Sequence, residues 1–457
     1  MRKLVTTSSV LTIAVALTAC GGGNGAKGEA GASGALEKAV QAVVTDKKDV
    51  TISFWTSTGA SNLPFLERMV DDFRTQYPNI KVDFSAQGRV DELAKKLTQN
   101  IVSKSTPTLS NLDASTFPEY IDSGAIVDLQ PYYADGKIGF SGEEQADFYP
   151  IYLDEAKSFG PEGTLYGFPT NKKTTDVLVY NKTYFDGKGW TAPSTWDDVV
   201  KDSQTIKDDT GKPGFSFDNS YGDAAFKLMS QQWGSPYVAA DGTADINNDA
   251  TKDALAFYKG NMTKGYFTMP ALMPSAGGKT SSNGFVMEET YMYVGAAAGV
   301  PFAIPNPKAG QKQFDLGVAP VPQKDPAKPV ALSKGEDYAI FANATDEQRV
   351  AAWLLIKFLS GAEENADWLI NSGNLPIRKS MLEVPAYKQF LASDKSDPKK
   401  YYMAAAVKAA LATPMTYDKV TAKSGDIATE TGNLWESVMI GGGDIASLLS
   451  QAAEKVK

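Results

Sequence analysis

The sequence predicts an α/β fold with a mainly parallel sheet, and three observations carry that expectation. Segments whose apolar residues alternate every second position take turns with segments of helical period. Turn residues and prolines separate them. Beyond Ala344 the pattern becomes almost wholly helical, so the last quarter of the chain must cover sheets built earlier.

The elements follow in order. Thr51-Ile-Ser-Phe-Trp55 alternates apolar residues and reads as a strand. Leu66, Met69, Val70, Phe73 and Tyr77 fall on one helical face, which Pro78 ends. Ile80, Val82 and Phe84 alternate again as a strand, and Val90, Leu93, Leu97 and Ile101 give the next helix face. A second strand-rich block runs from Leu165-Tyr-Gly-Phe-Pro169 through Asp176-Val-Leu-Val-Tyr-Asn181. Pro193-Ser194-Thr195 opens a helix whose Trp196, Val199, Val200 and Ile206 form a core face. Thr345 and Gln348 form a capping box ahead of Val350, Trp353, Leu354 and Phe358. The final helix spans 447–456.

The chain begins with the basic Met1-Arg2-Lys3 and an uncharged, mostly apolar run from Leu4 to Leu17. That run is short of the ~20 apolar residues a permanent span requires, and reads as a secretory signal. Cys20, the one cysteine, follows Leu17-Thr18-Ala19 and resembles a bacterial lipobox, in which the cysteine is lipidated and becomes the first mature residue. The bland alternative is a plain secretory signal ending in cysteine. Removing residues 1–19 takes the formal charge from −9 to −11, so acyl chains rather than basic charge must hold the protein to a membrane. Seven glycines between 21 and 34 predict a flexible tether, taken here as 20–49 with a short helix near 35–49 and folded sequence from about Val50.

Composition removes several functions. There is no histidine, so Ser-His-Asp, Cys-His and His-ligated metal sites are excluded. A single cysteine excludes an internal disulfide and CxxC redox chemistry. An acidic balance of 54 Asp+Glu against 45 Lys+Arg argues against a nucleic-acid binder. Gly278-Lys279-Thr280 has a Walker A tail, but Met273 stands where the loop needs glycine. Asp245-Ile-Asn-Asn-Asp249 lacks the calcium-loop glycine and glutamate and reads as a turn and helix cap. Glu288-Glu289 would point to opposite faces of a strand and is no acid/base pair by itself.

Taken together, several segments resemble the carbohydrate-type extracellular solute-binding proteins of ABC importers. They are Ile52-Ser-Phe-Trp55 with Phe73-Arg-Thr-Gln-Tyr-Pro78, Tyr166-Gly-Phe-Pro169 with Leu178-Val-Tyr-Asn-Lys182, and Pro193-Ser-Thr-Trp196-Asp. Asp241-Gly-Thr-Ala-Asp245, Ala352-Trp353-Leu-Leu-Ile-Lys357 and Leu375-Pro-Ile-Arg378 continue the match to the C-terminus. The resemblance implies a two-lobe, periplasmic-binding-protein-like fold with hinge crossovers near Thr174, Gly295 and Asn343. Lobe one would be 50–174 plus 296–342, and lobe two 176–294 plus 344–457. A carbohydrate, expected to be an oligosaccharide, would lie between the lobes and pass to an ABC permease. The receptor would be a lipid-anchored monomer at the outer face of the cytoplasmic membrane, with no catalytic residue, cofactor or metal.

The same resemblance implies the contact residues. Trp55 and Thr56 follow the first strand, although Trp55 fits a core position equally well. Asp113, in Asn111-Leu-Asp113, is a ligand contact or a helix cap. Asn171, Lys172 and Thr174 precede the hinge strand, Tyr221 supplies an aromatic in lobe two, and Gly335 and Glu336 lie in a charged loop. Asn374 completes the set. Relatives that bind glycerol phosphate carry an arginine where this chain has Ala428 and a tyrosine where it has Asn374. Lys172, Lys173 and Arg378 leave an acidic sugar open. A cell-surface carbohydrate-active hydrolase and an adhesive lipoprotein are the readings to be separated from a receptor.

Overall fold

A computed structural model describes residues 34–457 apart from 219–222, 240 and 279. The strands of the two main sheets are β1 (Val50–Thr56), β2 (Ile80–Ala86), β3 (Leu109–Asp113), β4 (Phe168–Pro169), β5 (Asp176–Asn181), β6 (Phe215–Phe217), β7 (Phe267–Thr268), β8 (Met292–Ala296), β9 (Leu316–Pro320) and β10 (Glu336–Ile340). The helices that matter for the site are α1 (Leu63–Gln76), α2 (Val90–Ser103), α3 (Pro150–Lys157), α4 (Trp196–Thr210), α5 (Ala224–Gln232), α6 (Asp249–Thr263), α7 (Asp346–Leu359), α8 (Ala362–Ser372), α9 (Pro398–Leu411), α10 (Ser424–Met439) and α11 (Ile445–Lys455).

Each sheet has five strands, ordered β2-β1-β3-β10-β4 in one and β9-β5-β8-β6-β7 in the other. Neither is purely parallel. In the first, β1 runs parallel to β2 and β3, while β10 opposes both β3 and β4. In the second, β5 opposes both β8 and β9, while β6 runs parallel to β8 and β7. One strand per sheet is therefore reversed. The reversed strand is the one the chain enters from the other lobe, so it starts at the edge where its neighbours end. The carboxyl ends of the remaining strands all face the same interlobe space, where α/β sheets bind ligands.

The first helix face is buried as its spacing predicts, through Leu66, Met69, Val70 and Phe73. In α2 only Leu93 and Leu97 are buried, and Val90 is exposed. Thr195 caps α4 by accepting from the Asp198 amide, which places Trp196 fully in the core. The Thr345–Gln348 capping box starts α7, and Trp353 donates to the Ile138 carbonyl at 3.1 Å. Asn248 caps α6, which gives the acidic turn before it a structural role.

Several boundaries differ from the expectation. Helices α7 and α8 belong to the first lobe, because they pack on β1 and α1, whereas α9 packs on β9 and β5 of the second sheet and lies in lobe two as expected. Strand β9, expected in lobe one, pairs with β5 in the second sheet. Ile427, Leu434 and Trp435 of α10 and Leu449 of α11 join the second core. Residues 34–45 are helical, and Ala39, Val40 and Val43 are buried against the first core, so this part of the expected tether is docked. Asn79 holds it further by donating to the Val43 and Lys48 carbonyls at 3.0 and 3.1 Å.

The crossovers also move. The chain passes between lobes at 170–175, at 321–335 and between α8 and α9, not near Gly295 or Asn343. Gly295 lies within β8, and Asn343 bonds to Thr106 inside lobe one. The first two passages lie side by side with the 412–416 segment. Thr174 and Lys334 exchange backbone bonds at 2.9 Å, Ala331 and Leu332 pair with Met415 and Thr416, and the Ser333 amide donates to the Thr416 carbonyl at 2.7 Å. The hinge is thus a narrow three-ply ribbon.

Candidate functional site

The interlobe space contains two joined chambers of about 500 and 260 Å³, both touching Ala224 and Lys334. In the larger one, the loop after β1 supplies Thr58, Gly59 and Asn62. The opposite wall carries Asp218 at the end of β6, Gly295 and Ala296 at the end of β8, and Phe302. The hinge contributes Lys172, Thr174, Asp176 and Lys334 as a floor, and the end of α8 brings Trp368, Ser372 and Asn374. The smaller chamber lies between Asp113–Ser115 of lobe one and Asp223, Lys227, Tyr237 and Asp418 of lobe two.

Local geometry explains why these groups converge. Gly335 has φ +137°, and a Cβ there would stand 2.8 Å from the Lys172 carbonyl oxygen, so only glycine lets the two crossovers pack this tightly. A Cβ on Gly295 would meet Asp218 at 3.2 Å and the Tyr293 ring at 3.0 Å, so glycine keeps that wall open. Asp113 accepts from the Ser115 amide at 3.0 Å while also lining the smaller chamber. It therefore caps the turn that follows and also borders the chamber.

The charges of the cleft come in matched sets. Lys334 Nζ lies 2.7 Å from both Asp176 carboxylate oxygens. Lys172 donates to Ser57 Oγ at 2.8 Å and pairs with Glu336, which also accepts from Ser57 at 2.5 Å. Lys227 pairs with Asp223 at 3.1 Å and Asp418 at 3.0 Å, and lies 4.9 Å over the Tyr237 ring. Burial pulls the Lys227 ammonium down, but those carboxylates more than offset it and hold its pKa well above the usual lysine value. Burial, helped by the Asp218 charge, pushes the Tyr293 phenol up, so it stays a neutral hydrogen-bonding group. The cleft is thus rich in hydroxyl, amide and paired ionic groups, which suits a neutral ligand with many hydrogen-bonding positions.

Beneath the floor, Lys173 is fully buried and bonds Glu155 at 2.9 Å and Asp337 at 2.8 Å. It is no anion contact on the rim. Arg378 is not one either, since its guanidinium stacks 4.3 Å over Phe148 and 5.0 Å over Phe140. Among the described residues no group of three His, Cys, Asp or Glu side chains could hold a metal ion.

Of the residues the sequence pointed to, Lys172, Thr174 and Asn374 line the larger chamber, and Asp113 and Gly335 the smaller. Four stand behind the surface. Trp55 packs against the first core, as its alternative reading allowed. Thr56 is buried and bonds Thr58. Asn171 is buried beneath Trp368, whose indole donates to its carbonyl at 2.6 Å. Glu336 acts through Lys172 and Ser57. Tyr221, Lys279 and Cys20 lie outside the described residues. Thr280 and Ser282 reach the larger chamber from the start of a short helix, Ser281–Val286.

Sequence reasoning missed Asp176, Asp218, Tyr293, Phe302 and Trp368. Only position after a strand could have signalled Asp218. Trp368 and Phe302 carry no pattern of their own in the sequence.

Comparison with known proteins places this arrangement. A family model described as bacterial extracellular solute-binding protein matches residues 68–399. The arabinooligosaccharide-binding protein of Bacillus subtilis is 24% identical over 344 residues, covering 68% of this chain and 73% of that protein. Among solved structures, the cyclic alpha-maltosyl-1,6-maltose binding protein from Arthrobacter globiformis superposes with a TM-score of 0.70 at 20% identity, covering 89% of this chain and 98% of that one. UgpB from Mycobacterium tuberculosis, solved in complex with glycerophosphocholine, gives 0.74 at 20% identity over the same shares.

Proposed function

The chain belongs to the bacterial extracellular solute-binding proteins, and on that premise we propose that it captures a neutral carbohydrate, an oligosaccharide, between its lobes. It hands this ligand to the membrane subunits of an ABC importer. The observation that carries the reading is the larger chamber, about 500 Å³ between the carboxyl ends of two sheets and floored by a hinge. Ligand that touches both walls binds the closed form better than the open one, so it shifts the population toward closure. A permease can then read closure without touching the ligand.

The pairing of Lys172, Lys227 and Lys334 with carboxylates favours a neutral over an anionic ligand. An anion would have to compete with charges already matched in a partly dry site. Asn374 and Ala428 point the same way, since both line the cleft without offering a cation.

The test is a thermal-shift panel of neutral oligosaccharides, acidic sugars and glycerol-phosphate esters. Binding to the native state alone raises the melting temperature, with about 2.7 kcal/mol of added stability at 100 times Kd. Stabilisation by a neutral oligosaccharide, recovered chemically unchanged, is the expected outcome. Stabilisation by the phosphate esters alone would sink the neutral reading. Conversion of the sugar would make the protein a hydrolase.

The anchor is proposed on the Leu17-Thr18-Ala19-Cys20 motif. Two or more acyl chains hold a protein stably at a bilayer, whereas one does so only marginally. Cells making the full chain should incorporate radiolabelled palmitate into it, and Cys20→Ala should abolish the label. Wild-type protein without label would remove the anchor from the proposal.

A further inference from the structure

Among the described residues, six large apolar side chains are exposed: Val90, Val102, Leu272, Met287, Phe302 and Ile440. Phe302 is the one aromatic among them, at 70% exposure, and the one that lines a chamber of the cleft. Its backbone is well held. The 3-10 helix Ala297–Ala303 buries Ala297, Val300 and Ala303 completely, and Pro301 sits inside it. Phe302 is therefore presented from a fixed turn.

The other two rings of this chamber are committed to its walls. Trp368 is 1% exposed, and Tyr293 is buried with its ring 5.3 Å from Phe285. Ala298 and Gly299 of the same turn also line the chamber and carry little or no side chain, and the Ala298 amide donates to the hinge Thr174 hydroxyl at 3.4 Å. Polar groups of the same chamber include Lys172, Asp176 and Asn374.

We propose that Phe302 is a specificity-determining residue: an apolar platform at the cleft mouth for a sugar ring beyond the one held by the polar floor. The proposal rests on the carbohydrate reading and deepens it. A sugar ring has an apolar C–H face as well as hydroxyl edges. Phenylalanine has no polar atom, so it reads only that face, through buried area and contact rather than directed bonds. A chamber of about 500 Å³ lies within the ~300–1,000 Å³ range of pockets that enclose drug-sized ligands. A single sugar on the hinge floor leaves Phe302 exposed, while a longer chain covers it. Phe302 thereby selects for ligand length.

The experiment is calorimetric titration of wild type, Phe302→Ala and Phe302→Trp with arabinose through arabinotetraose and glucose through maltotetraose. Ligand-free melts of all three proteins accompany it. In the series that binds, Phe302→Ala should weaken the longer sugars about 10- to 30-fold. The shortest sugar that binds should be unaffected, and Phe302→Trp should keep the length dependence. The ligand-free melting temperature should not move, since truncating an exposed side chain leaves no cavity. Equal loss at every length, or no loss, would overturn the platform. A wild type that binds none of these sugars would overturn the carbohydrate reading, and the platform with it.

Discussion

Lys173, Glu155 and Asp337 form an ionic triad under the cleft floor in which two carboxylates share one ammonium. Ser333 donates to Glu155 at 3.1 Å, and Glu155 also reaches the smaller chamber, so this carboxylate keeps polar company. Asp337 is completely buried, and its second oxygen has no partner. Burial pushes the Asp337 carboxyl up from its ordinary 3.8 to about 7, with Lys173 opposing and Glu155 reinforcing the rise. Between those two pH values the folded chain holds a proton that the unfolded chain has lost. Stability from this group therefore falls as pH rises through that window. Urea melts at pH 5 and pH 7 should show the fall, and Asp337→Asn should flatten it. Lys173→Met strands two buried carboxylates and should cost about 3–5 kcal/mol, more at pH 7 than at pH 5. A Lys173→Met protein as stable as wild type at both pH values would mean that the triad has no energetic role.

At the scale of elements, what the sequence revealed divides by the range of the interactions involved. The α1 face, the helix opening at Pro193-Ser194-Thr195 and the capping box at Thr345 were legible because period and caps are local signals. The lobe boundaries were not. Whether α7 covers the first or second sheet depends on which faces meet in space, and Val350 and Trp353 are apolar either way. Strand β9 reads as an ordinary apolar segment, and only its pairing with β5 assigns it. The cleft shows the same division. Lys172, Thr174 and Asn374 were found by their motif positions, and the hinge brings them together. The ion pairs that neutralise the cleft join residues far apart in sequence, such as Lys334 with Asp176 and Lys227 with Asp418, and no spacing rule connects them. Glu336 is instructive, because its motif position was right and its side chain nevertheless serves to hold Lys172 and Ser57 in place.

At the scale of the whole molecule, the hinge ribbon sets what the lobes can do. Three segments, bonded at Thr174–Lys334 and at Leu332–Thr416, resist separation yet leave the lobes joined along one narrow line. Rotation about that line changes few φ and ψ angles, as hinge closure requires. Opposing it are contacts that cross the gap, among them the packing of α10 against Ala114–Thr116. A ligand shifts the open–closed balance only by its differential affinity for the two forms, and about 5.5 kcal/mol carries a population from 1:99 to 99:1. A neutral oligosaccharide that meets Thr58 and Asn62 on one wall and Asp218 on the other has such a differential, because the open form cannot engage both walls at once. X-ray scattering of the mature chain should therefore show a smaller radius of gyration at saturation than without ligand. Pair distances within each lobe should stay fixed, since each lobe is built on its own five-stranded sheet. A profile that changes at all distances would mean that the lobes themselves rearrange. An unchanged profile at saturation would mean that the ligand enters a cleft already closed.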